Sequence, residues 1–290
     1  MRCGGTHRGR ETEMQTHQAG VKMKTIKIQR NGSAFTLIEL LVVIAVIALL
    51  LSIVTPALKK AQDTAKRVIC GARLNQIGKA MKMYSDAFGG SLPDDHNVNG
   101  SRERHGYIAY RNDNRLSDGS LKPYRFAYLY ELNYIETPEI FYCPGNRLDA
   151  YKYESYTQPS PWGTLPQDFN TASAAGFGNQ WVRIGYTYFP VERNARIDPA
   201  IGAPYELGKK FIQLNPNMPY ASDLLHNRQS LAHRTKTVMS INALFPDGHV
   251  AVCNDPEAFQ DAIWDRVDNG ISAQTDYDFL YYSVFRLVRP

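Results

Sequence analysis

"FTLIELLVVIAVIALLLSIVTPALKKA", residues 35–61, decides how the rest of the chain is read. From Phe35 to Val54 it runs for twenty residues, of which Thr36, Glu39 and Ser52 are polar. About 20 apolar residues at 1.5 Å rise span the roughly 30 Å hydrocarbon core of a bilayer. The core helix of a soluble domain is usually shorter and keeps a polar face, and this stretch has none. Lys22, Lys24, Lys27 and Arg30 precede it with no acid among them. The positive-inside rule then holds the N-terminal side in the cytoplasm and sends the rest of the chain across.

Glu39 is out of place in such a segment. A charged side chain in a transmembrane helix costs on the order of 2.5–3.5 kcal/mol on insertion scales, so an intramembrane acid is expected to have a partner. No Lys or Arg lies between Phe35 and Leu58. A cut just before Phe35 would create an α-amino cation at membrane depth, able to meet the Glu39 carboxylate of a neighbouring copy. The plainer alternative is an acid close enough to the helix end to reach the interface.

The stretch "AFTLIELLVVIAVIALLLSIVTPA" resembles the processing site and helix of type IV prepilins and type II secretion pseudopilins. The resemblance implies a dedicated prepilin peptidase that cuts between Ala34 and Phe35 and methylates the new N-terminus at Phe35. It makes Glu39 the acid used in assembly and Pro56 the helix-kinking proline. Ala34 departs from the glycine usual at the last leader position, with Gly32 two residues earlier. An ordinary secretory signal places its apolar region before the cut; here it lies after the cut and stays with the product.

The leader also carries the charge. Residues 1–34 hold seven basic and two acidic side chains, a surplus equal to the +5 of the whole chain. The remainder is neutral, and the pI of about 8.9 is a leader effect. The charge therefore gives no support for a nucleic-acid footprint, which needs a basic patch on the folded body, and none is expected as a partner. Translation beginning at Met14 or Met23 instead of Met1 would shorten the leader, from Met23 to a short basic one.

Beyond the membrane the helix is expected to continue to about Phe88, roughly 80 Å at 1.5 Å per residue. Leu58, Ala61, Ala65 and Val68, then Cys70, Leu74, Ile77, Met81, Tyr84 and Phe88 recur at helical spacing, and Gly89-Gly90 with Pro93 supplies a stop. The second half should lie against a soluble domain, with a kink at Pro56. The organisation read is a basic leader 1–34, a transmembrane helix 35–55, an amphipathic continuation 56–89 and an exported head 90–290.

Within the head, Tyr124–Ile135 fits a short helix, and Ile140–Cys143 and Ile184–Pro190 fit strands. Residues 155–180 read as a long insertion loop stiffened by Pro159, Pro161 and Pro166. The stretch "TKTVMSINALFPDGHVAVC" reads as a strand, a Pro246-Asp247-Gly248 turn and a second strand. Asp255–Val267 follows as a helix behind an Asp cap. The fold class is α+β: a long N-terminal helix packed on a small antiparallel-sheet head, as in pilins.

The hairpin "NALFPDGHV" extends the resemblance, since many pseudopilin-like proteins end in a His-spacer-Asp-Gly segment. Thirteen residues separate His233 from Asp247 here, more than the family's usual spacer. His233, Asp247 and His249 are candidate metal ligands. Calcium, which the resemblance allows in a C-terminal loop, prefers six to eight oxygens, whereas a His pair suits zinc. The competing reading is turn chemistry at Asp-Gly with no cofactor. No HExxH, P-loop, GxSxG or CxxC constellation is present, so no enzymatic activity is expected.

Four cysteines are present, and Cys3 leaves with the leader. The resemblance pairs Cys70 with Cys143, both in segments that recur in similar proteins; a buried free thiol at Cys70 is the alternative. The function expected is a structural subunit of a type II secretion pseudopilus or type IV pilus-like filament, held in the inner membrane. Its partners would be the peptidase and other pilin subunits. A membrane-tethered protein that binds a ligand or polysaccharide without polymerising is the second reading.

Overall fold

The computed structural model describes residues 36–156, 162, 181–204, 206–235, 238–268 and 273–289. The leader, Ala34, Phe35, Pro159, Pro161 and Pro166 lie outside the described residues. The chain divides into two compact units, one ending at Ile53 and one beginning at Val54. Helix α1 (Leu37–Ala87) begins in the first and ends in the second, and Pro56 lies inside it. Among the described residues it is the helix long and apolar enough to cross a membrane. In the first unit its large apolar side chains are all exposed, as they are in a segment whose solvent is lipid.

In the second unit α1 becomes one-sided at Cys70. Cys70, Leu74, Ile77, Met81 and Tyr84 are buried at three- and four-residue spacing. Leu58, Ala61, Ala65 and Val68, expected to continue that stripe toward the membrane, remain exposed. The head touches α1 as early as the Arg67 carbonyl, which accepts the Asn242 amide at 3.2 Å, but these four side chains stay in the open. The helix stops where expected: Gly89 and Gly90 take φ of 62° and 85°, and the Gly90 N–H closes back on the Ser85 carbonyl at 2.8 Å.

The face of α1 from Cys70 to Met81 rests on the head's main sheet. Its hub is β8 (Met239–Leu244), paired antiparallel with β6 (Ala221–Asp223), β7 (His233–Arg234) and β9 (Val250–Cys253); β3 (Tyr186–Tyr188) pairs with β6. A small residue sets the approach of helix to sheet: a Cβ on Gly78 would lie 2.9 Å from a Leu244 methyl. Two lesser ladders join β1 (Ile108–Arg111) to β2 (Trp181–Arg183) and β4 (Ile197–Asp198) to β5 (Ala203–Pro204). The core is aromatic, with Tyr107, Tyr110, Tyr124, Tyr186, Tyr188 and Tyr281 almost fully buried. Rings of this size fill space between strands too short to bring many aliphatic side chains.

The expected helix at Tyr124–Ile135 narrows to α2 (Ala127–Glu131). The strand expected at Ile140–Cys143 is instead a 3-10 turn over Pro138–Phe141, because Pro138 presets the turn and Phe141 is drawn into the core. The helix expected over Asp255–Val267 is split into a 3-10 turn, Pro256–Phe259, and α3 (Asp261–Asp268). The Asp255 carboxylate still caps, accepting the Glu257 N–H at 2.9 Å. Helix α4 (Gln274–Leu287) was not anticipated, although Tyr277, Leu280, Tyr281, Val284 and Phe285 bury one face of it. Trp162, from the long insertion, is buried against Phe141 with stacked rings 5.6 Å apart.

Candidate functional site

The start of α1 is closed by its own side chains. Thr36 stands one residue before the helix, and its hydroxyl oxygen accepts the Glu39 N–H at 3.2 Å. In return Glu39 Oε2 accepts the Thr36 N–H at 2.8 Å and the Thr36 hydroxyl at 2.9 Å. This is a capping box, and it satisfies two helix-end donors that hydrocarbon would leave bare. Glu39 therefore has a partner within its own chain, which its isolation in the sequence did not disclose. Among the described residues its second oxygen accepts no hydrogen bond, and Ala34 and Phe35, the proposed processing pair, lie outside the described residues.

The three candidate metal ligands do not converge. Asp247 and His249 form one local unit: Asp247 Oδ1 accepts the His249 N–H at 3.0 Å and lies 2.5 Å from its Nδ1. His249 stacks on Phe245, and the Gly248 carbonyl accepts the Asn75 amide of α1 at 2.8 Å. His233 is at the other end of β8. It pairs with Ser240, whereas Val250, next to His249, pairs with Leu244. Four residues along a strand are about 13 Å. An exposed carboxylate already held by its own turn and one imidazole do not make the oxygen-rich shell that calcium needs.

His233 belongs to a different cluster. Cys70 and Cys143 are joined by a disulfide that fastens α1 to the turn after Phe141, with Cα atoms 5.1 Å apart. His233 Nε2 lies 3.4 Å from Cys143 Sγ and 3.6 Å from Asp223 Oδ2. Asp223 is fully buried; its Oδ2 accepts the Asn242 N–H at 2.6 Å and the Asn242 amide at 3.0 Å. Burial pushes the Asp223 carboxyl up to about 7, against the hydrogen bonds from Asn242, and burial pulls His233 down to about 4. Sequence reading missed Asp223, although an acid inside the apolar run "YASDLL" was the signal that could have found it. Cys253 is a buried free thiol on β9.

A second polar concavity of about 400 Å³ lies at the far end of α1's head segment, lined by Asp95, Arg102, Arg104, Tyr188, Glu206 and Lys209 among others. Asp95 Oδ2, Arg102 Nε and Nη1, and the Tyr188 hydroxyl are buried there without hydrogen-bond partners among the described residues. Arg102 and Arg104 both reach Asp278 on α4.

A capped apolar helix that opens on Thr-Leu-Ile-Glu and continues into an α+β head is a prepilin-like arrangement, and the comparisons with known proteins support that likeness. The family model for the prokaryotic N-terminal methylation motif matches residues 29–55. The type IV wide pilus major component PilA4 of Thermus thermophilus is 46% identical over 55 residues, which are 19% of this chain and 42% of that protein. The match therefore spans less than half of that relative. No solved structure matches the chain.

Proposed function

We propose that this chain is a processed, membrane-stored structural subunit of a pilus-like filament, without enzymatic activity. The observation that carries the reading is a methylation motif that runs into a helix whose large apolar side chains from Leu37 to Leu58 are exposed. Such a surface suits lipid before assembly and neighbouring helices afterwards. The basic leader orients the N-terminus to the cytoplasm and the head outside the inner membrane. A prepilin peptidase removes residues 1–34 and methylates Phe35, and other pilin subunits are the partners. Among filament types, both a type II secretion pseudopilus and a type IV pilus fit this chemistry.

Intact-mass analysis of the membrane form tests the reading. The expected product begins at methylated Phe35. Recovery only of chains beginning at Met1, Met14 or Met23 overturns it. A second reading, a tethered ligand-binding head that does not polymerise, is favoured by the orphan polar atoms around Tyr188 and Arg102. Sheared-filament fractions separate the two, since a tether leaves them empty.

A further inference from the structure

The disulfide sits in a setting that a plain cross-link does not require. One ligand atom each from Cys70, Cys143, Asp223 and His233 lies within 4.8 Å of the other three. Four elements supply them: α1, the turn at Cys143, β6 and β7. Burying a carboxylate and an imidazole beside a disulfide is costly unless something compensates, and apolar packing would cost less. Asp223 Oδ1 is buried with no hydrogen-bond partner among the described residues. One acceptor oxygen, Asp223 Oδ1, is thus left without a donor, and two of the four ligand atoms are soft sulfurs.

Its dimensions fit a tetrahedral ion. Zinc bonds of about 2.0–2.3 Å place neighbouring ligand atoms about 3.3–3.8 Å apart. The 3.4 Å from His233 Nε2 to Cys143 Sγ and the 3.6 Å to Asp223 Oδ2 are already in that range. Supporting contacts are also in place. Asn242 holds the Asp223 carboxylate with two donors, and the Gly145 N–H donates to Cys143 Sγ at 3.4 Å. Gly145 has to be small, because its Cβ would lie 2.8 Å from His233 Cε1. Cys143 also lines a surface cavity with Tyr142 and Asn146, which provides a way in.

We propose that Cys70, Cys143, Asp223 and His233 form a zinc site in the dithiol state of the head, and that the disulfide is the metal-free, oxidised state of the same residues. A dithiol reductant supplies two electrons and two protons to the Sγ–Sγ bond and itself becomes a disulfide. Zn²⁺ then displaces the two thiol protons to solvent and is held by two thiolates, the imidazole nitrogen and a carboxylate oxygen. Thiolate and imidazole select zinc over calcium or magnesium. Because thiolate ligands are consumed by oxidation, metal and disulfide exclude one another.

The test uses the full chain in detergent. One portion stays oxidised; the other is reduced with dithiothreitol, freed of reductant under anaerobic conditions, and both are titrated with Co²⁺. The reduced chain should take up one Co²⁺ with a thiolate-to-cobalt charge-transfer band and tetrahedral d–d absorption, both bleached by Zn²⁺, while the oxidised chain shows neither. His233→Ala and Asp223→Asn should each weaken Co²⁺ binding at least tenfold. If reduction unfolds the head, Zn²⁺ should restore its circular dichroism. The proposal is overturned if reduced wild type shows no such bands, if both variants bind as tightly as wild type, or if an unfolded reduced chain does not recover with Zn²⁺.

Discussion

Thr36 and Glu39 cap one another: the threonine hydroxyl takes the glutamate N–H, and the glutamate carboxylate takes the threonine N–H at 2.8 Å. The glutamate thus has two separable jobs, closing the helix start and offering negative charge to a neighbour. Gln can do the first, since its side-chain carbonyl accepts the same bonds. Glu39→Gln should therefore insert and be cleaved normally yet enter filaments poorly, because the charge alone is lost. Thr36→Ala should cost about 1 kcal/mol of helix start and leave the charge in place. Membrane insertion, leader removal and sheared-filament content are measured separately for each variant. If the Gln variant fills filaments as wild type does, pairing with the Phe35 amine is not what Glu39 is for.

Acid should loosen the head through Glu103. Burial alone would raise its carboxyl, but hydrogen bonding and charge from His105, with Arg125 nearby, hold it at about 2. A carboxyl lowered in the folded state gives stability that is fully present above its unfolded value, near 4.5, and is lost as pH falls toward 2. The lowering from 4.5 to about 2 corresponds to roughly 3 kcal/mol. Denaturant titrations between pH 6 and pH 2 should show that loss, and Glu103→Gln should flatten it while lowering stability at neutral pH.

Two glycines should respond in opposite ways. A Cβ on Gly185 would meet the Cys143 backbone nitrogen at 2.6 Å and the Asn146 amide at 2.7 Å. Backbone cannot swing aside, so Gly185→Ala should destabilise by about 2–3 kcal/mol. The atoms nearest a Cβ on Gly78 belong to the Leu244 side chain, its methyls at 2.9 and 3.0 Å, and Ala gains about 0.5–1 kcal/mol over Gly inside a helix. Gly78→Ala should stay within about 1 kcal/mol of wild type. Urea midpoints of the two variants decide the matter; equal losses would mean that the Leu244 side chain is as fixed as backbone.

Reducing the disulfide in the presence of a chelator should destabilise the head strongly. It closes a loop of 73 residues, worth about 4 kcal/mol in the chain-entropy account. Thermal unfolding with and without reductant measures the drop. A reduced, metal-free head as stable as the oxidised one would mean that the docking of α1 from Cys70 to Tyr84 needs no cross-link.

Much of the path of the chain could be read without coordinates. The apolar run, the Gly89-Gly90 stop and the hairpin around Asp247-Gly248 are local: each depends on residues within a few positions of one another, so periodicity and turn chemistry expose them. The apolar rhythm from Tyr277 to Phe285 that makes α4 is local too. The strand expected at Ile140–Cys143 failed because its apolar run is too short to separate a strand from a turn, and Pro138 decided for the turn.

What the sequence by itself determined is the membrane helix, its charge asymmetry and the α+β plan, because a bilayer and a backbone impose the same rules on any chain. The tertiary structure alone decided where burial on α1 begins, at Cys70 rather than at Leu58, since that depends on where the head's sheet reaches the helix. It also decided that His233 keeps company with Asp223, Cys70 and Cys143 and stands apart from His249. Those four residues are spread from position 70 to position 233, and only the pairing of β6 and β7 with β8 beneath α1 brings them within 4.8 Å.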